Sequence, residues 1–221
     1  QLISLPGYPF AEEHYSLPGT PPTRSHGNVA ALHPLLERNC STLFEQRYSL
    51  TLTPDRFFLR DHIVSGQAVV PGAVQLEMAR AAAELAGLTP LTHISEVAWL
   101  QPVIPGEESL ELALVLDPEP NSVRFRVTDP TGRSYAQGRL ESRHHEAPTN
   151  LELDKFQSAS ELQLASPDIY QRFRQCGIAF GPSFQTLRHW STTGEGCLAE
   201  LQLPRSQQAD AEQMVLHPLL L

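Results

Sequence analysis

The stretch from Val74 to Leu85 restricts the possible folds most strongly. It is rich in Ala, Leu, Met and Glu, all good helix formers. Leu76, Ala79 and Ala83 recur at threes and fours, and so do Met78, Ala82 and Leu85. Such a helix is apolar on more than one side, so the rest of the chain has to surround it. Pro71 stands just ahead, where a first helical position tolerates its missing N–H, and Gly87 is placed to end the helix.

What surrounds the helix follows it in sequence. Strand-like runs occur at Ile94–Leu100, Leu110–Leu116, Val123–Val127 and Tyr135–Glu141, and Tyr48–Thr53 precedes the helix as another. Turn signals separate the later four at Pro105-Gly106, Pro118 to Asn121 and Asp129 to Gly132. His33 to Cys40 suits a short turn or helix. One buried helix followed by antiparallel strands is the hotdog pattern, an α+β fold with an antiparallel sheet wrapped around a helix.

The chain divides into four stretches. Residues 1–28 are rich in Pro and Gly and read as an extended linker. Residues 29–145 form the first unit, and the polar residues 146–160 a second linker. Residues 161–221 begin another unit, with a helix at Pro167–Gln175 and a strand at Leu198–Leu203, and the sequence ends before that unit closes a sheet around a helix of its own. The tetrapeptide His-Pro-Leu-Leu occurs at His33 and again at His217, but the flanks do not match, which argues against an internal repeat. Gln1 in place of Met suggests a piece of a longer chain.

Composition narrows the function. The 221 residues carry a formal charge of −9, which argues against nucleic-acid binding, since that needs clustered Lys and Arg. No apolar run is long enough to span a membrane, and Gln1 to Phe10 lacks the form of a signal peptide. Cys40, Cys176 and Cys197 form no CxxC pair and suit reduced thiols, hence a cytoplasmic protein with no structural metal.

The segment with chemistry in it is His62-Ile-Val-Ser-Gly66-Gln-Ala-Val-Val-Pro71-Gly72, a His-x-x-x-Gly-x-x-x-x-Pro pattern leading into the buried helix. Removing a proton next to a thioester carbonyl needs a base with a pKa near neutrality, and histidine supplies one. The charge that develops on the carbonyl oxygen is met by the unpaired N–H groups and positive dipole end of a helix N-terminus. Pro71 has no N–H, so the Gly72 amide is the candidate donor. Gly66 permits the turn that aims His62 back toward the helix.

The segment from Phe58-Leu59-Arg60-Asp61-His62 through Pro71-Gly72-Ala73, with Glu77-Met78-Ala79 beyond, resembles the first hotdog of polyketide synthase dehydratase domains. Leu5 to Phe10 resembles the tail of the linker preceding such domains. His33-Pro34-Leu35-Leu36 resembles the family's opening motif, Gly177 to Gln185 the glycine–tyrosine–glycine–proline motif of the second hotdog, and His217 to Leu221 the lead-in to the second catalytic motif. The resemblance implies a double hotdog whose second half is incomplete in this sequence. It implies a 3-hydroxyacyl thioester substrate, carried on the phosphopantetheine arm of an acyl carrier protein, and loss of water to give a 2,3-enoyl thioester. His62 is then the base and the Gly72 N–H the carbonyl donor, with Gly66, Val70, Pro71, Phe180, Gly181 and Pro182 around the substrate. No cofactor is needed. The implied partners are the carrier protein, neighbouring synthase domains and a second copy of the chain.

Two departures stand out. Phe180 occupies the place of the family's usual Tyr, so one hydroxyl is lost. The family's second catalytic Asp, the proton donor to the leaving hydroxyl, follows the motif that ends here at Leu221 and lies outside this sequence. Active dehydration, a silent scaffold that docks carrier proteins, and isomerisation or cyclisation of enoyl thioesters all stay open. Val69, Val70 and Phe180 suit either a tunnel lining or ordinary core packing.

Other candidates are weaker. Gly181-Pro-Ser183-Phe-Gln185 lacks the second glycine of a hydrolase elbow. Gly194-Glu-Gly196 is too short for a dinucleotide loop and suits a turn. His144-His145 sit in a polar linker and suit solvated side chains, with a weak metal site as the alternative. Glu12-Glu13-His14 has no helical HExxH partner, and Arg172 and Arg174 suit a solvated helix face better than contact with an acidic carrier protein. Asp61 is read as structural, because strand neighbours point to opposite faces.

Overall fold

The computed structural model describes residues 31–106, 109–143, 162–194 and 196–221. The N-terminal linker, the linker at 146–160, His144-His145 and Glu12-Glu13-His14 lie outside the described residues.

A six-stranded antiparallel sheet holds the first unit. Its strands are β1 (Arg38–Asn39), β2 (Gln46–Leu52), β5 (His93–Trp99), β6 (Leu110–Pro118), β7 (Val123–Thr128) and β8 (Ser134–Glu141), in the order β1-β2-β6-β7-β8-β5. Registers such as Leu50 with Leu112 and Leu114 with Val127 stack apolar side chains across neighbouring strands. Helix α2 (Gly72–Leu85) lies against β6, β7 and β8, and Val74, Met78, Ala79, Ala82 and Ala83 are fully buried. The alanines let the sheet approach the helix closely, and Leu112, Leu114, Phe125, Val127 and Leu140 complete one core.

The sequence places these four later strands and the helix to within two residues. One correction concerns the helix start: Pro71 is extended (ψ 144°) and α2 begins at Gly72. Proline's fixed φ suits the residue before the helix as well, and its carbonyl accepts the Val74 N–H at 3.1 Å. The His33 segment is a turn, not a helix, closed by hydrogen bonds between His33 and Leu36 in both directions. Phe57–Arg60 forms a short helix, α1, that puts Phe58 and Leu59 in the core.

The second unit contains β9 (Leu162–Ala165), α3 (Ser166–Gln175), β10 (Ile178–Phe180), β11 (Leu187–Thr193) and β12 (Gly196–Leu201), with a short helix α4 (Gln208–Ala211) beyond. Strands β9, β11 and β12 make an open three-stranded sheet in the order β12-β11-β9, and α3 packs on β9 and β11 around Ile169, Tyr170 and Leu187. Gly194 lies in the tight turn between Thr193 and Gly196, as its sequence suggests.

Strand β10 does not join that sheet. It pairs with β3 (His62–Val64), which pairs in turn with β4 (Gln67–Ala68), so one small sheet stitches the two units together. The register sets Phe180 opposite His62. No helix among the described residues is long and apolar enough to cross a membrane.

Candidate active site

His62 opens β3, directly after the C-cap of α1. The hairpin that follows turns at Ser65-Gly66 between the paired residues Val64 and Gln67. Both turn residues have positive φ, 50° and 82°, the pattern of a tight two-residue hairpin, and glycine suits the second. The return strand brings Val69 beside His62. The His62 Nδ1–H donates to the Val69 carbonyl at 2.7 Å, and the Val69 N–H donates back to the His62 carbonyl at 3.2 Å. Because a carbonyl only accepts, Nδ1 carries the proton, and the neutral ring keeps its lone pair on Nε2.

Phe180 and Phe184 flank the imidazole, with ring centroids 5.6 and 5.3 Å away, and stack on each other at an interplanar angle of 18°. Burial among these rings pushes the His62 pKa down from its ordinary value, against a smaller upward effect of the bond to Val69. The imidazole is therefore held neutral, the form a base must have.

His62 faces a cavity of about 700 Å³ between the two units. Val69, Val70, Pro71, Gly72, Trp99 and Leu100 line it from the first unit, and Tyr170, Phe173, Phe180, Phe184 and Leu187 from the second. Val69, Val70 and Phe180 thus face the cavity, although Val70 is also part of the core. Gly72 lies at the first turn of α2, where no carbonyl within the helix can accept its N–H. Its lack of a side chain has a second cause: a Cβ there would lie 2.8 Å from Trp99 Nε1.

Gly66, Gly181 and Pro182 are not among the lining residues. Gly66 shapes the hairpin, and Pro182 starts a 3-10 turn at Pro182–Phe184 that delivers Phe184 to His62. Gly181 fits beneath Asp61, since a Cβ there would lie 2.7 Å from the Asp61 carboxyl carbon.

Asp61 is buried and acts as a brace. Its carboxylate accepts from Arg60 at 2.9 and 3.1 Å and from the Ser183 N–H at 3.0 Å, while its carbonyl accepts from the Gly181 N–H at 2.8 Å. The Arg60 hydrogen bond lowers its pKa to about 2, aided by Ser183 and opposed by burial. The structural reading stands, but for a different reason: Asp61 caps α1 and does not lie inside a strand. Ser183 is taken up in this brace through its backbone.

A second buried carboxylate, Glu77, ties α2 to both ends of the described chain. It accepts from His33 Nε2, from Arg80, and from the backbone N–H groups of Val215 and Leu216. Burial pushes its pKa up, but the bonds from His33, Arg80 and Leu216 overcome this and hold it at about 2. The two His-Pro-Leu-Leu segments share one turn. In each, His Nδ1 accepts the N–H two residues on, at 3.1 and 3.2 Å, and the His carbonyl accepts the N–H three residues on, at 2.9 Å.

Trp99, Phe184, Tyr170 and Gln75 also belong to the cavity wall, and none stands out in the sequence. Among the described residues no group of three or more His, Cys, Asp or Glu is placed to hold a metal ion.

Residues 33–130 match the family described as polyketide synthase dehydratase domain, and residues 148–221 the polyketide synthase dehydratase N-terminal domain. A crystal structure of a trans-AT polyketide synthase dehydratase domain from Brevibacillus brevis is 37% identical, with a TM-score of 0.78 over 86% of this chain and 70% of that one. The dehydratase domain from the CurF module of curacin polyketide synthase shares the fold at 24% identity, with a TM-score of 0.76 over 85% of this chain and 72% of that one. Polyketide synthase PksM of Bacillus subtilis is 32% identical over 99% of this chain, which spans only 5% of PksM. A buried helix inside an antiparallel sheet, a second, open sheet and collinear likeness across both units agree: the chain belongs to the polyketide synthase dehydratase family, with its double-hotdog fold.

Proposed function

We propose that this protein is a 3-hydroxyacyl-[acyl carrier protein] dehydratase of a polyketide synthase. The acyl chain, as a thioester on the carrier's phosphopantetheine arm, enters the cavity between the units. His62 Nε2 takes the proton from C2. The Gly72 N–H, at the positive end of α2, holds the carbonyl oxygen as negative charge builds there. The C2–H electron pair forms the C2–C3 double bond as the C3–O bond breaks, and the departing hydroxyl takes a proton and leaves as water. In the family that proton comes from the Asp following the motif that ends here at Leu221. Neighbouring synthase domains and the carrier protein are the partners in this reading.

The observation that carries it is the Nδ1 bond from His62 to Val69, which leaves Nε2 as the unprotonated ring nitrogen of a residue lining a mainly apolar cavity, as a base in this reading requires. The test is to add the protein to each stereoisomer of a 3-hydroxyacyl carrier protein and follow the acyl mass. Loss of one water from one isomer is expected. An unchanged mass with both isomers overturns the proposal.

A further inference from the structure

Among the described residues, Gln75 is a buried side chain of the cavity wall whose amide oxygen the fold leaves without a hydrogen-bond partner. Four other side chains of that wall spend their polar hydrogens on the protein: His62 on the Val69 carbonyl, Gln101 on Ser134, Tyr170 on Phe184 and Thr186 on Leu219. Gln75 differs. It is 3% exposed, it lines the cavity, and among the described residues its Oε1 meets no hydrogen-bond partner. Glu77, two residues on, shows what this helix does with a polar group meant only for structure: every direction is filled. A buried amide without a partner is costly, and any apolar residue of similar size would remove the cost. A partner that arrives with the substrate explains why an amide stands there.

Resting on the reading of this cavity as an acyl thioester site, we propose that Gln75 is a specificity-determining residue, which hydrogen-bonds a hydroxyl on the acyl chain beyond C3. The helix rises about 1.5 Å per residue, so Gln75 lies about 4.5 Å further along the axis than Gly72. A chain anchored by its carbonyl at Gly72 passes C3 before it travels that distance. A hydroxyl both donates and accepts, so it satisfies the amide in either orientation. The preferred substrate is therefore a hydroxylated acyl chain, such as a 3,5-dihydroxyacyl group, in place of a plain 3-hydroxyacyl one.

Binding tests this independently of turnover. Two unreactive pantetheine amides, 3,5-dihydroxyacyl and 3-hydroxyacyl of equal length, are titrated calorimetrically into the protein. The dihydroxy compound should bind about tenfold tighter, the size of one net hydrogen bond. In Gln75→Met, which keeps the volume, that ratio should fall to about one. Equal affinities in the unaltered protein overturn the inference, and so does a ratio that survives in the variant. If Gln75→Met fails to fold, the ratio in the unaltered protein still decides. Selective binding without loss of water from either 3-hydroxyacyl isomer would uphold the inference while overturning the dehydratase reading.

Discussion

Trp99 lies so close over Gly72 that no side chain fits between them: a Cβ on Gly72 would sit 2.8 to 2.9 Å from three atoms of the indole. Trp99 and the first turn of α2 thereby form one wall of the cavity. Gly72→Ala should force the indole or the helix aside. The cost expected for overpacking is about 1–3 kcal/mol in chemical unfolding. Trp99→Leu in the same chain should restore most of that stability. Full stability of Gly72→Ala alone would show that the contact is not what selects glycine.

Asp61 and Glu77 set the acid stability. Each carboxyl has a pKa of about 2 in the fold, below its unfolded value. The fold binds fewer protons than the unfolded chain in this range. The stabilisation is therefore complete above the unfolded values and lost as pH falls from about 5 toward about 2. Urea unfolding at a series of pH values should show a steep decline across that window. Asp61→Asn should flatten the decline and lower stability at neutral pH by about 1–2 kcal/mol, a modest figure because Arg60 is largely exposed. An unchanged acid slope in Asp61→Asn would remove the brace from the account.

The proposed activity has its own pH signature. Burial among Phe180 and Phe184 lowers the His62 pKa from the ordinary 6.5. If His62 is the base, it is lost only when pH falls through that lowered value, so the acid limb of kcat/KM should break below pH 6.5. Phe180→Ala admits water to the ring and should move the break upward. A break above 6.5 in the unaltered protein would mean that the imidazole is not desolvated as described.

Much of this fold is legible in the sequence because its largest parts are periodic. The Ala-rich helix at Gly72–Leu85 and the strands from His93 to Glu141 each repeat their pattern long enough to be recognised. Strands β3 and β10, at three residues each, are too short to show any period, and their pairing joins residues more than a hundred positions apart. His62 stands out in the sequence because its spacing to Gly66 and Pro71 is local. Trp99 against Gly72, and Gly181 against Asp61, are contacts between distant segments, and nothing in either local sequence announces them. Gly66, Gly181 and Pro182 are prominent in the sequence because they shape the chain around the site, not because they line it.

The central claim is that His62 removes the C2 proton, and the rate of water loss from a 3-hydroxyacyl carrier protein in His62→Ala tests it most directly, with chemical unfolding run alongside. A general base contributes about 10²–10⁴-fold. The variant should lose that much in kcat/KM while keeping its unfolding midpoint, since the imidazole is only partly buried and makes one hydrogen bond to the backbone. A folded His62→Ala protein that still dehydrates within a few-fold of the unaltered rate would contradict the account.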